Sequence, residues 1–139
     1  MKKLFLIGIC VIGGILTSVA QETFTITAKF SGMESDKGDL YVALYNKEGE
    51  FLKKTFKGSI VKVNNKTAEA VFENIPKGEY AISCFHDEND NKKMDTRIFG
   101  IPKEPIGMSN DAKGFMGPPK YKDAKFLVDK DTEVSINVN

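Results

Sequence analysis

The chain has 139 residues, 41% of them hydrophobic and 28% charged, and sets 20 Lys and Arg against 19 Asp and Glu for a formal net charge of +1. That composition fits one ordinary domain. With no basic excess to neutralise phosphates, it excludes strong nucleic-acid binding.

Lys2 and Lys3 precede a continuous apolar stretch, Leu4 to Leu16, which ends in the small-residue run Thr17-Ser18-Val19-Ala20. This is the layout of a secretory signal peptide cut after Ala20, and the stretch is shorter than the roughly 20 apolar residues of a bilayer span. Cys10 follows Ile9, where a lipid-attachment site carries a small residue, so a lipoprotein anchor is disfavoured. Removing residues 1–20 leaves 119 residues with 18 basic and 19 acidic side chains, a net charge of about −1. The expected product is a periplasmic or secreted protein with no membrane span. Its one remaining cysteine, Cys84, rules out a disulfide framework, so the domain (21–139) must be held by its core.

Phe24, Ile26, Ala28 and Phe30 alternate with Thr25, Thr27 and Lys29, the period of a half-buried strand. After the turn cluster Ser35-Asp36-Lys37-Gly38, residues 39–46 place Leu40, Val42 and Leu44 on one side and Tyr41, Ala43 and Tyr45 on the other, so both faces are at least partly covered. Residues 47–58 read as a wandering connection pinned by Phe51, Leu52 and Phe56. Residues 59–64 and 67–73 flank Asn65-Lys66 as a hairpin, because Asn tolerates the left-handed backbone of a two-residue turn. The next strand sets Tyr80, Ile82 and Cys84 on one face, which makes Cys84 a core residue rather than a reactive thiol. Residues 125–128 and the alternating Val134, Ile136 and Val138 close the chain. About seven short strands separated by turns, with no sustained helical period, predict an all-β fold: an antiparallel β-sandwich.

Residues 87–120 break this rhythm. They hold Pro102, Pro105, Pro118 and Pro119, four of the five prolines, together with Gly100, Gly107, Gly114 and Gly117. A loop of this length is usually functional or disordered. Ile98, Phe99, Ile101, Ile106, Met108, Phe115 and Met116 supply apolar anchors, so an ordered loop packed onto the sandwich is expected. A groove formed by Phe99, Met108, Phe115, Met116 and Tyr121 is the alternative, with Phe115 and Met108 as binding residues.

Within this segment Asp87, Asn89, Asn91 and Asp95 occupy relative positions one, three, five and nine, the spacing at which side-chain oxygens converge on Ca²⁺. The backbone carbonyl of Lys93 would add a ligand, and Glu104 is the candidate for the bidentate carboxylate missing at position twelve, where Ile98 stands. Lys92 stands at position six in place of Gly, which costs about 1–2 kcal/mol if the left-handed geometry is kept. The simpler reading is a polar turn whose Asn and Asp side chains cap their own backbone.

His86, the only histidine, adjoins Asp87 at a strand end, which suggests base catalysis, and Ser109 is the nearest candidate nucleophile. Ser109 lacks a nucleophile elbow, and Ser109-Asn110-Asp111 reads as turn chemistry. A glycosidase pairing among Asp87, Asp95 and Glu104 lacks room for a sugar chain in so small a sandwich. Zinc chemistry at His86 lacks a second histidine.

The string His86-Asp87-Glu88-Asn89 with Asn91 and Asp95, then Gly100-Ile101-Pro102-Lys103-Glu104, Gly107-Met108-Ser109-Asn110 and Gly117-Pro118-Pro119, resembles the exported bacterial proteins of the domain-of-unknown-function 2141 family. Gly78-Glu79-Tyr80-Ala81 fits the same resemblance, which covers essentially all of the chain after residue 20. It implies a small immunoglobulin-like or transthyretin-like sandwich of the periplasm or cell exterior. Lys92 departs from the family's usual Gly, and Met108 from its usual Phe.

The leading expectation is a non-enzymatic, exported β-sandwich binding module of the cell envelope, with no catalytic residues. Its loop platform, residues 86–119, would be braced by calcium through Asp87, Asn89, Asn91, Lys93 and Asp95. It would bind a small molecule or envelope protein through His86, Glu104, Met108, Ser109, Asn110 and Phe115. A small hydrolase using His86 with Asp87 or Glu104 is the runner-up, and a structural envelope or matrix component without a dedicated ligand is the third reading.

Overall fold

Apolar residues at every second position give each strand one face to bury, and two such sheets closing on each other hide both faces at once. In the computed structural model, which describes residues 20–139, the strands in chain order are β1 (Thr23–Ser31), β2 (Asp39–Tyr45), β3 (Lys57–Lys62), β4 (Ala68–Pro76), β5 (Gly78–Asp87), β6 (Ile106–Met108), β7 (Phe126–Val128) and β8 (Thr132–Asn137). A single turn of helix, α1 (Tyr121–Ala124), precedes β7. The leader expected over residues 1–20 lies outside the described residues apart from Ala20.

One sheet has the order β4-β1-β8; the other runs β3-β2-β5-β6, with β7 pairing the early part of β5. Every ladder is antiparallel except that between β1 and β8, which run parallel because the last strand leaves β7 in one sheet and enters the edge of the other. Between the sheets lie Ile26, Ala28 and Phe30 of β1, Leu40, Val42 and Leu44 of β2, Tyr80, Ile82 and Cys84 of β5, and Ile136 of β8. Each large apolar side chain in this layer contributes roughly 1.5–3 kcal/mol by leaving water.

Asn65 and Lys66 have φ of 52° and 59°, the left-handed pair that a tight two-residue turn demands. Its arms do not form the expected hairpin ladder. Only the Asn64–Thr67 bridge pairs across the turn, because β3 and β4 belong to different sheets. Asp36 holds this corner by accepting the backbone N–H groups of Asn65 at 3.2 Å and Lys66 at 2.7 Å.

A second apolar cluster covers one end of the outer face of β2 and β5. Phe51 packs edge-on against Tyr45 and Tyr121, with ring centroids 5.2 and 5.6 Å apart, and Met108, Ala81 and Ala124 complete it. Phe51 therefore pins the 47–58 connection as expected, while Leu52 and Phe56 stay 38% exposed.

Candidate functional site

β5 is the axis of the site, because it ends at the His86-Asp87 pair and hands the chain to the long loop. The alternation that buries Ile82 and Cys84 also turns His86 inward, opposite Leu40 of β2. His86 is fully buried, and its Nε2 lies 2.6 Å from the Lys37 carbonyl, the geometry of an Nε2–H donor. Its Nδ1 has no hydrogen bond and lies 3.6 Å from a Glu88 carboxylate oxygen.

Asp87 is also fully buried and acts as the hub of the loop. Its two oxygens accept the N–H groups of Asn91 at 3.3 Å and Lys92 at 2.8 Å. Asn89 Oδ1 accepts Asn91 N–H at 3.2 Å, and Asn91 Oδ1 accepts Lys93 N–H at 3.1 Å, so each Asn caps backbone two residues on. Gly38, at φ 65°, leaves room for this hub: a Cβ there would strike the Asp87 carbonyl oxygen.

Lys92 has φ 64° and keeps the left-handed conformation normally given to Gly at its position. That twist folds the loop back so that the amides of Asn89 and Asn91 reach Asp95. Asn89 Nδ2 donates to Asp95 Oδ2 at 2.5 Å, and Asn91 Nδ2 donates to Oδ1 and Oδ2 at 2.7 and 2.9 Å. These amides hold the Asp95 carboxyl below its usual range.

The returning arm of the loop bonds through Lys103 N–H to the Asp95 carbonyl at 2.8 Å, which brings Glu104 to the cluster. Both Glu104 carboxylate oxygens are shielded from solvent and lack a hydrogen-bond partner. Burial pushes the Glu104 carboxyl up to about 7, and the charges of Asp87 and Asp95 push in the same direction. Chemically this is an anionic pocket short of one positive partner: a proton or a hard cation satisfies it. Among the described residues, no three or more His, Cys, Asp or Glu side chains stand as a ready-made ligand set. The Asn amides point nitrogen-first at Asp95, so a cation here requires them to turn.

The other predicted binding residues do not gather at this cluster. Ser109 is fully buried; its Oγ accepts Ile82 N–H at 2.9 Å and donates to the Ala124 carbonyl at 2.5 Å. Ile82 and His86 are four positions apart on β5, roughly 13 Å along a strand. That separation leaves Ser109 out of reach of His86 as a nucleophile. Asn110, at φ 59°, uses Nδ2 to hold the Asp123 and Lys125 carbonyls beside α1 at 3.2 and 2.9 Å. Met108 is buried in the second cluster.

Ile98, Phe99, Ile101, Phe115 and Met116, expected as anchors packing the loop onto the sandwich, are exposed instead. The loop is anchored by β6, whose residues Ile106 to Met108 pair with Phe85 to Ser83, and by Tyr121. Once those positions are fixed, the intervening turns project outward.

An open groove of about 1530 Å³ crosses the outer face of the second sheet, bordered by both projecting turns. Its floor includes Tyr41 and Phe85, cross-strand neighbours whose rings stack 4.9 Å apart at 13°. The Tyr41 hydroxyl is harder to ionise than usual, through desolvation first and then the charges of Asp87, Asp39 and Asp90. Neither ring stands out in the sequence as a site residue; the available signal is the apolar alternation on both faces of β2.

A model of the family described as "Uncharacterized protein conserved in bacteria (DUF2141)" matches residues 28–137. No curated protein matches the chain significantly. Two solved chains of the pilus-presented adhesin Spy0125 (Cpa) are similar to it. One, a cysteine-to-alanine mutant, is 12% identical with a TM-score of 0.31, covering 87% of this chain and 28% of that one. The other, a different crystal form, is 14% identical with a TM-score of 0.30, covering 87% and 27%. The chain thus spans little more than a quarter of the adhesin's length.

Proposed function

The chain belongs to the DUF2141 family of uncharacterised bacterial proteins, and from that premise we propose that it is an exported, non-enzymatic binding module whose loop platform, residues 86–119, is braced by calcium. The signal-peptide layout of residues 1–20 supports export to the periplasm or beyond. The platform would present its outer surface, including Phe115, to a small molecule or an envelope protein.

The observation that carries the calcium brace is Glu104. Its two oxygens are out of solvent, have no donor, and face the carboxylates of Asp87 and Asp95. Like charges held together in this way favour whichever cation neutralises them, and Ca²⁺ accepts carboxylate, amide and carbonyl oxygens in a flexible shell. Asp87, Asn89, Asn91, the Lys93 carbonyl, Asp95 and Glu104 would supply it. The left-handed Lys92 supports the same reading, because the turn that a calcium loop needs is present even where its residue is unfavourable.

The fully buried His86, with Nε2 committed to a backbone carbonyl, favours a structural role for the only histidine over base catalysis. The deciding experiment is a thermal melt with millimolar Ca²⁺ and with chelator. A ligand preferring the folded state raises the midpoint. Glu104→Gln and Asp95→Asn should remove that rise, and coincident melts of the unaltered chain would sink the brace.

A further inference from the structure

The four most exposed large apolar side chains among the described residues stand in two pairs. Ile98 and Phe99 are 78% and 97% exposed, and Phe115 and Met116 are 91% and 95% exposed. Each pair sits at the tip of a turn containing a left-handed residue, Phe99 at φ 64° and Met116 at φ 55°. Prolines follow both turns, Pro102 after the first and Pro118-Pro119 after the second. Such turns cannot be melted into a strand to hide their side chains without losing this geometry.

Both tips are bracketed by exposed cations, Arg97 and Lys103 around the first and Lys113 and Lys120 around the second. None of these four makes an ion pair among the described residues. Three of the nearby acids are occupied elsewhere. Asp95 and Glu104 turn into the loop cluster, and Asp111 accepts Asn137 N–H at 2.9 Å. Both turns border the same open groove, so they belong to one side of the molecule.

Apolar points collared by free positive charge match one surface chemistry, a layer of hydrocarbon beneath anionic headgroups. A protein partner favours a continuous apolar patch with few charges at its centre, which two separated, cation-ringed tips do not form. We propose that residues 97–103 and 113–120 form a two-pronged docking surface for an anionic phospholipid bilayer. Phe99 and Phe115 enter the headgroup boundary, with Ile98 and Met116 beside them, while Arg97, Lys103, Lys113 and Lys120 meet lipid phosphates. This goes beyond the calcium-braced module, does not require it, and gives Phe115 a lipid in place of a protein partner.

The test is cosedimentation of the processed chain, which contains the whole sandwich, with vesicles of phosphatidylglycerol and phosphatidylcholine in equal parts and with phosphatidylcholine vesicles alone. Binding should favour the anionic vesicles and weaken with added salt. Phe99→Ser and Phe115→Ser should each lower the partition coefficient about tenfold or more. Replacing any one of the four cations by Gln should lower it about fivefold. Because all six positions are exposed, an unchanged melt confirms that each variant is folded.

No binding of the unaltered chain to anionic vesicles, or equal binding by the Phe99→Ser, Phe115→Ser double variant, overturns the proposal. So does a vesicle-indifferent chain that self-associates through the two phenylalanines. Running each binding assay with calcium and with chelator, beside the melts, separates the two readings. Vesicle binding without a calcium-dependent melt leaves docking standing and removes the brace, and the reverse pattern removes docking alone.

Discussion

Ser109 Oγ sits 2.9 Å from the Ile82 backbone nitrogen and also donates to the Ala124 carbonyl, so one buried hydroxyl joins β5 to the end of α1. A residue that looks like a nucleophile in the sequence is a two-bond hydrogen-bonding pin in the fold. Ser109→Ala leaves a buried amide and a buried carbonyl without partners. It should cost about 1–3 kcal/mol of stability. Urea unfolding measures this, with the calcium response unchanged, and a loss below a few tenths of a kcal/mol would contradict the pin.

Glu104 gives the chain a pH dependence whose sign follows from its environment. In chelator, the folded carboxyl titrates at about 7 and the unfolded one near its ordinary 4.5. Between those values the folded chain holds the extra proton. Its stabilising effect is therefore complete below about 4.5, declines as pH rises, and is lost above about 7. Glu104→Gln cannot ionise, so it should melt higher than the unaltered chain at pH values above that window, and its stability should lack this slope. Identical pH profiles of the two proteins would exclude the carboxyl as their cause.

Much of the sandwich was legible because two-residue periodicity is written directly into β1, β2, β5 and β8. Leu40, Val42 and Leu44 bury together because alternate side chains must share a face. The turn at Asn65-Lys66 was legible for the same local reason, yet the partition of its arms into two sheets depends on long-range pairing that no local pattern carries. β6 leaves no local signature because three residues, Ile106 to Met108, are too few to show a period. Without its ladder to Phe85, the apolar residues on either side read as anchors, whereas the ladder makes them projecting tips. The Asp87, Asn89, Asn91 and Asp95 spacing marks the loop, and in the fold Asn89 and Asn91 turn their amide nitrogens to Asp95 while Asp87 accepts backbone N–H groups. Glu104 joins them through the Lys103 to Asp95 bond, a contact invisible before the loop is folded.

Cys84 lies on the core face of β5, and burial pushes its thiol up to about 12. The nucleophilic thiolate is therefore scarce at neutral pH in the folded chain. A chain of residues 21–139, in which Cys84 is the one cysteine, should resist alkylation by iodoacetamide at pH 8 and react rapidly once unfolded in urea. Labelling of Cys84 at the same rate in both states would contradict the burial that fixes β5 against the opposite sheet.

Lys92 occupies the left-handed position between the two halves of the acidic loop, at φ 64°. An L residue with a side chain pays about 1–2 kcal/mol for that conformation. Glycine adopts it freely but loses about 0.5–1 kcal/mol more backbone entropy on folding. The difference favours Lys92→Gly by up to about 1.5 kcal/mol, because the Lys92 N–H to Asp87 bond at 2.8 Å is backbone and survives the change. The substitution also removes a positive charge beside the three carboxylates of Asp87, Asp95 and Glu104. Relief of the backbone strain should raise the melt in chelator slightly, and loss of the Lys92 charge should let calcium bind more tightly, which titration calorimetry measures. A lower melting midpoint would contradict the strain argument, and unchanged calcium affinity would show that the Lys92 charge does not reach the loop's interior.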